Sequence, residues 1–204
     1  MAKKVKLTKD ITEKQFDNGY WYATEVRSLA KEIGIPNSSK LRKDELEELI
    51  KIFLRSGKIK SPDRKNIRKS GMKDLEKGLS RSMQILHYTS NKETKGFILS
   101  EALKMQPDLK IKSGVWYRLN RWRDQQITNN KRITYGHLIK QFIKLNQTAG
   151  PFEKVPVGRY INFVAAYLAH EKDATREQAI NDWKKLKKLD IAKDYQSWRK
   201  YNDK

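Results

Sequence analysis

The chain has 204 residues, enough for one or two small domains, and its 37% hydrophobic content suffices for small helical cores. A net charge of +21, from 45 Lys and Arg against 24 Asp and Glu, favours a polyanionic partner, nucleic acid before an acidic membrane surface. The absence of cysteine excludes disulfides and thiolate metal sites, and no apolar run is long enough to cross a bilayer. The expected location is therefore the cytoplasm, at the nucleoid if the source is bacterial, with no membrane partner. Basic charge alone also occurs in ribosome-associated and merely soluble proteins, so charge needs a motif beside it.

Residues 1–9 form a short basic tail. ITEKQF then marks a helix start: Thr12 caps, Gln15 returns the hydrogen bond, and Ile11 staples onto Phe16. Tyr20 and Trp21 follow. Packing against the next helices competes with base stacking as their role, and a module this small needs large side chains for its core. Val26, Leu29, Ala30 and Ile33 recur at helical spacing, and Gly34 stops that helix. A loop, IPNSSKLRK, carries short polar side chains and three cations. A second helix follows with Leu46, Leu49, Ile50 and Phe53 on one face. Asp44 and Glu45 suit its positive N-terminal end, and Gly57 ends it.

This stretch resembles the SAP domain, a small helix–loop–helix DNA-binding module, as found in bacterial SAP-domain proteins of uncharacterised function, with echoes of the Rho N-terminal domain. The residues that carry the resemblance are Trp21, Tyr22, Val26, Leu29, Gly34, Ile35, Asn37, Ser38, Ser39, Lys40, Arg42, Lys43, Leu46, Ile50 and Leu54. Leu41 and Arg42 stand where the family has a small-residue–glycine step. The resemblance implies DNA binding through the loop and the start of the second helix. Asn37, Ser38 and Ser39 would bond phosphate oxygens, Lys40, Arg42 and Lys43 would supply charge, and Lys31 would reach the flank.

Residues 58–84 read as an exposed basic linker, in which Arg64, Lys65, Arg68 and Lys69 are secondary candidates for phosphate contact. Pro62-Asp63 followed by Glu93-x-Lys95 matches the bare spacing of a metal-dependent nuclease. That chemistry needs carboxylates on adjacent strands, and neither flank is strand-like.

Residues 85–204 are expected to form a helical C-terminal domain. Phe97, Ile98, Ala102 and Leu103 indicate a helix after Thr94, and residues 111–114 a short extended or turn segment. In VWYRLNRWRDQQI, Val115, Leu119, Trp122 and Gln126 share a face. Arg118, Arg121 and Trp116 fall outside it, where the two arginines are further nucleic-acid candidates or merely snorkel over a core. Ile133 and Thr134 open another helix, stapled onto Leu138. Residues 159–170, rich in Tyr160, Ile161, Phe163, Val164, Tyr167 and Leu168, read as the most buried helix. Thr175 and Gln178 form a capping box, and a last helix surrounds Tyr195 and Trp198. TYGHLIKQFIKL and TREQAINDWKKL share enough to suggest an internal duplication, or simply two helices with the same cap. The last segments also resemble the C-terminal regions that accompany SAP modules.

His87, His137 and His170 lie far apart, with no metal-ligand spacing. There is no phosphate-binding glycine loop and no nucleophile elbow. The expectation is an all-α protein with a SAP-like module at 1–57, a linker at 58–84 and a helical domain at 85–204. It would bind duplex DNA through phosphates with little base readout, without catalysis, metal or cofactor. An RNA-binding or protein-interaction adaptor, whose C-terminal domain docks a protein partner, and a SAP-targeted nucleic-acid enzyme are the alternatives.

Overall fold

The computed structural model describes residues 6–62 and 71–203. The fold is all-α: among the described residues there are nine α-helices and no strand. In chain order they are α1 (Glu13–Asn18), α2 (Ala23–Glu32), α3 (Lys43–Ser56), α4 (Lys92–Met105), α5 (Val115–Thr128), α6 (Tyr135–Gln147), α7 (Arg159–His170), α8 (Arg176–Leu186) and α9 (Tyr195–Asn202). Single-turn 3-10 segments span Ser38–Lys40 and Asp74–Lys77.

The helices group into two compact units. One combines residues 1–62 with 153–204, and the other spans 63–152. The expected division into 1–57, 58–84 and 85–204 does not follow these groups, because α7–α9 belong to the same unit as α1–α3.

In the first unit the N-terminal core is built from Phe16, Trp21, Val26, Leu29, Ile35, Leu41, Leu46 and Ile50. Local chemistry sets its edges. Thr12 and Gln15 cap α1 reciprocally. The Trp21 indole N–H donates to the Phe16 carbonyl at 2.8 Å, and its ring lies so close to Gly19 that a Cβ there would meet it at 2.1 Å. Gly34 ends α2 at φ 84°, and the Ile35 N–H reaches back to the Ala30 carbonyl at 2.8 Å.

The same unit has a second core from α7–α9, made of Phe163, Val164, Tyr167, Ala179, Trp183, Leu186 and Tyr195. Tyr20 joins the two, its ring edge-on to Trp183 at 5.1 Å. Arg159, at the start of α7, donates to the carbonyls of Asp17 (3.1 Å) and Gly19 and lies 3.7 Å from the Glu47 carboxylate. Asn18 donates to the Asp190 carboxylate at 3.2 Å. The helix expected to be most buried is one-sided: Phe163, Val164 and Tyr167 face the core, whereas Ile161 is 71% exposed and Leu168 40%.

In the second unit α6 packs against both α4 and α5. Its Tyr135, Leu138, Ile139 and Phe142 are fully buried. Trp116, expected outside, lies 4.6 Å from the Phe142 ring and joins the edge of this core. Part of the expected linker also belongs here. Asp74 is fully buried, and its carboxylate accepts the N–H groups of Leu86 (3.1 Å) and His87 (2.8 Å) and the Tyr135 hydroxyl (3.2 Å). Such satisfaction is what allows a carboxylate to be buried. Burial, with the Asp74 carboxylate close by, pushes the Tyr135 phenol well above the ordinary tyrosine range. An antiparallel bridge between Gln84 and Thr134 fixes the segment before α4 onto the start of α6. Thr134 caps α6 and Thr175 caps α8, so the two similar segments share a cap but lie in different units.

Candidate nucleic-acid interface

The α2–α3 connection is a short, tightly bonded loop. Asn37 adopts the left-handed conformation at φ 55°, and the 3-10 turn after it is closed by Lys40 N–H to Asn37 carbonyl at 2.9 Å. Leu41 then dives into the N-terminal core. The apolar anchor on one side turns Asn37, Ser39 and Lys40 outward, all exposed, with Lys31 exposed on α2. Ser38 is only 8% exposed, so of the two loop serines Ser39 is the one placed to meet a ligand.

The start of α3 differs from an open helix end. The Glu45 carboxylate accepts the Arg42 N–H at 2.7 Å, filling a position that an incoming phosphate would use. Arg42 is half-buried. Lys43 is committed within the fold: its ammonium lies 3.4 Å from Glu47 and 5.3 Å from the centre of the Tyr20 ring. Residues 43–48 read KDELEE, so four carboxylates follow the cationic loop. The charge of this region is therefore polarised, with cations on the loop and anions along the first turns of α3. A polyanion is favoured on the loop side and repelled from the α3 flank.

The secondary candidates divide. Arg64, Lys65, Arg68 and Lys69 lie outside the described residues. Arg118 and Arg121 are half-buried on α5 in the second unit. The Arg118 guanidinium stands 4.6 Å over the Phe152 ring, and Arg121 donates to the Tyr117 hydroxyl at 3.0 Å. They line an aromatic-backed cationic surface with Lys112, whose ammonium lies 4.3 Å from the centre of the same Phe152 ring. Glu93 and Lys95, of the nuclease-like spacing, sit in the first turn of α4 and not on a strand, and Asp63 lies outside the described residues. Among the described residues no three His, Asp or Glu side chains gather in a way that could hold a metal.

Sequence reasoning passed over one basic group, the run Lys184-Lys185-Leu186-Lys187-Lys188 at the end of α8. The Lys187 ammonium lies 5.7 Å from the centre of the Tyr20 ring and 6.0 Å from that of Tyr22. Lys185 pairs with Asp182 at 2.8 Å, and Lys184 approaches the neutral amide oxygen of Asn181 at 3.4 Å. The run was visible as WKKLKKL, but its nearness to Tyr20 rests on a contact between residues more than 160 apart.

No family model, curated protein or solved structure matches the chain. No helix among the described residues is long and apolar enough to cross a membrane.

Proposed function

We propose that this protein binds duplex DNA through its phosphate backbone, using the α2–α3 loop, with little reading of base sequence. The observation that carries the proposal is the outward group Asn37, Ser39 and Lys40 on a short anchored loop, flanked by Lys31, in a chain of net charge +21. The resemblance of this helix–loop–helix to a SAP domain supports the same reading. The loop side chains have little reach, which suits phosphate contact better than insertion into a groove. Arg42 lies at the helix start, where a guanidinium either neutralises phosphate or bonds guanine in a bidentate manner. The half-buried position of Arg42, beside the Glu45 bond to its own N–H, favours the first role.

The test is the affinity of the full chain for labelled GC-rich duplex, AT-rich duplex, single-stranded DNA and RNA at one salt concentration. The two duplexes should bind within about tenfold of each other, since each bidentate base contact would add ~1–3 kcal/mol of discrimination. Binding to RNA alone, or to one duplex alone, contradicts the proposal.

A further inference from the structure

The first unit brings two basic segments to one aromatic hub. Tyr20 sits edge-on to Trp183 at 5.1 Å and to Tyr22 at 5.4 Å. The Lys43 ammonium approaches the Tyr20 ring from α3 and the Lys187 ammonium from α8, at 5.3 and 5.7 Å from its centre. Both distances run to one point, so the two charges are at most about 11 Å apart, close to the Debye length of roughly 10 Å at 0.1 M salt. Burial raises the pKa of the Tyr20 phenol, so the ring stays neutral between them. Lys184, in the last turn of α8, and Lys188, just past its end, are both exposed. Between Trp183 and Leu189 the sequence holds four lysines and no acid.

We propose that Lys184, Lys187 and Lys188 around the end of α8 form, with Lys43 and the cationic α2–α3 loop before it, one phosphate-binding surface, so that duplex DNA contacts both segments at once. This rests on the DNA-binding reading above and extends it to residues that the helix–loop–helix does not contain. A cluster of like charges gathered within about a Debye length gains most from a partner whose own charges repeat closely, and duplex DNA carries one per ~1.7 Å of axis. Single-stranded nucleic acid is held largely by aromatic faces open to bases. Here Tyr20 and Tyr22 carry an ammonium group over their rings, so the surface offers charge in place of a stacking platform. Lys43 is partly neutralised by Glu47, which makes the α8 lysines the larger uncompensated charge at the hub.

The experiment uses the full chain and three charge-matched variants: Lys184→Gln with Lys187→Gln and Lys188→Gln; Lys31→Gln with Lys40→Gln and Arg42→Gln; and, as control, the exposed Lys14→Gln with Lys172→Gln and Lys200→Gln. Affinity for one duplex is measured across salt. Loss of three phosphate contacts makes the slope of log affinity against log salt shallower by about 2.7 units. The α8 variant should show a change of that size, the loop variant a similar one, and the control less than one unit. A single Lys187→Arg variant keeps the charge and should bind like the parent, which separates charge from packing against Tyr20. If the loop variant weakens binding while the α8 variant matches the control, the inference is overturned and DNA binding stands. If the parent chain does not bind duplex DNA, or the α8 variant loses only RNA or single-strand binding, the inference falls as well.

Discussion

Replacing Arg159 with Ala should unfasten the C-terminal helices from the N-terminal module. The Arg159 guanidinium makes hydrogen bonds to two carbonyls at the C-terminal end of α1, those of Asp17 in its last turn and of Gly19 just past it. It also faces Glu47, which is buried and whose other oxygen lies 3.4 Å from Lys43. A hydrogen bond from a charged group is worth roughly 1.5–3 kcal/mol. Breaking a buried ion pair costs about 3–5 kcal/mol when the remaining charge is left alone. Lys43 stays beside Glu47, so the pair term is largely retained, and a loss of about 3 kcal/mol is expected in total. With a urea slope of ~1–3 kcal/mol per molar, the midpoint should fall by about 1–3 M. The assay is urea unfolding followed by tryptophan fluorescence, to which Trp21, Trp183 and Trp198 of this unit contribute. Adding Glu47→Gln to Arg159→Ala should cost less than the two single losses combined, because both remove the same interaction. A loss below about 0.5 kcal/mol, or strict additivity, would refute the claim that Arg159 and Glu47 tie the two cores together.

Other perturbations give separate readings. Gly19→Ala places a Cβ against the Trp21 ring and should cost ~1–3 kcal/mol, as overpacking does, again read from the urea midpoint. The Tyr167 phenol, pushed up to about 12 by burial and by its bond to Asp182, is neutral in the fold at pH values where the unfolded chain ionises. Its contribution is complete below pH 10 and lost as pH rises toward 12, and Tyr167→Phe should remove that part of the alkaline loss measured by chemical denaturation. Lys193 has the opposite sign: burial lowers its ammonium to about 8, so the unfolded chain binds the proton more tightly and stability rises between pH 8 and 10.5. Lys193→Met should abolish that rise while leaving the Leu189 and Ile191 carbonyls without their donor. Arg42→Ala should make the salt slope of DNA binding shallower by about one unit for every duplex alike, whereas Glu48→Ala on the exposed face of α3 should leave it unchanged or raise affinity slightly.

The all-α fold was legible because its signals are local. Thr12 with Gln15, Thr175 with Gln178, and Gly34 and Gly57 at helix ends each act within a few residues. The pairing of α7–α9 with α1–α3 was not legible, since Tyr20 and Trp183, or Asp17 and Arg159, are separated by more than 140 residues of chain. Hydropathy also misplaced Asp74: a carboxylate reads as exposed until the backbone donors of Leu86 and His87 are seen around it. The loop candidates illustrate both outcomes. Lys31, Asn37, Ser39 and Lys40 do stand at the surface, but Ser38 turns inward and Lys43 spends its charge on Glu47 and Tyr20. Periodicity places a residue on a helix and says little about which neighbour from a distant helix will claim its side chain.

The central claim is that cations held on this fold neutralise DNA phosphates, and salt dependence tests it most directly. The full chain should be titrated against one duplex over a range of salt concentrations. With about 4–6 phosphates contacted, log affinity should fall linearly against log salt with a slope of roughly −4 to −5. A slope near zero, with binding retained at high salt, would contradict the account.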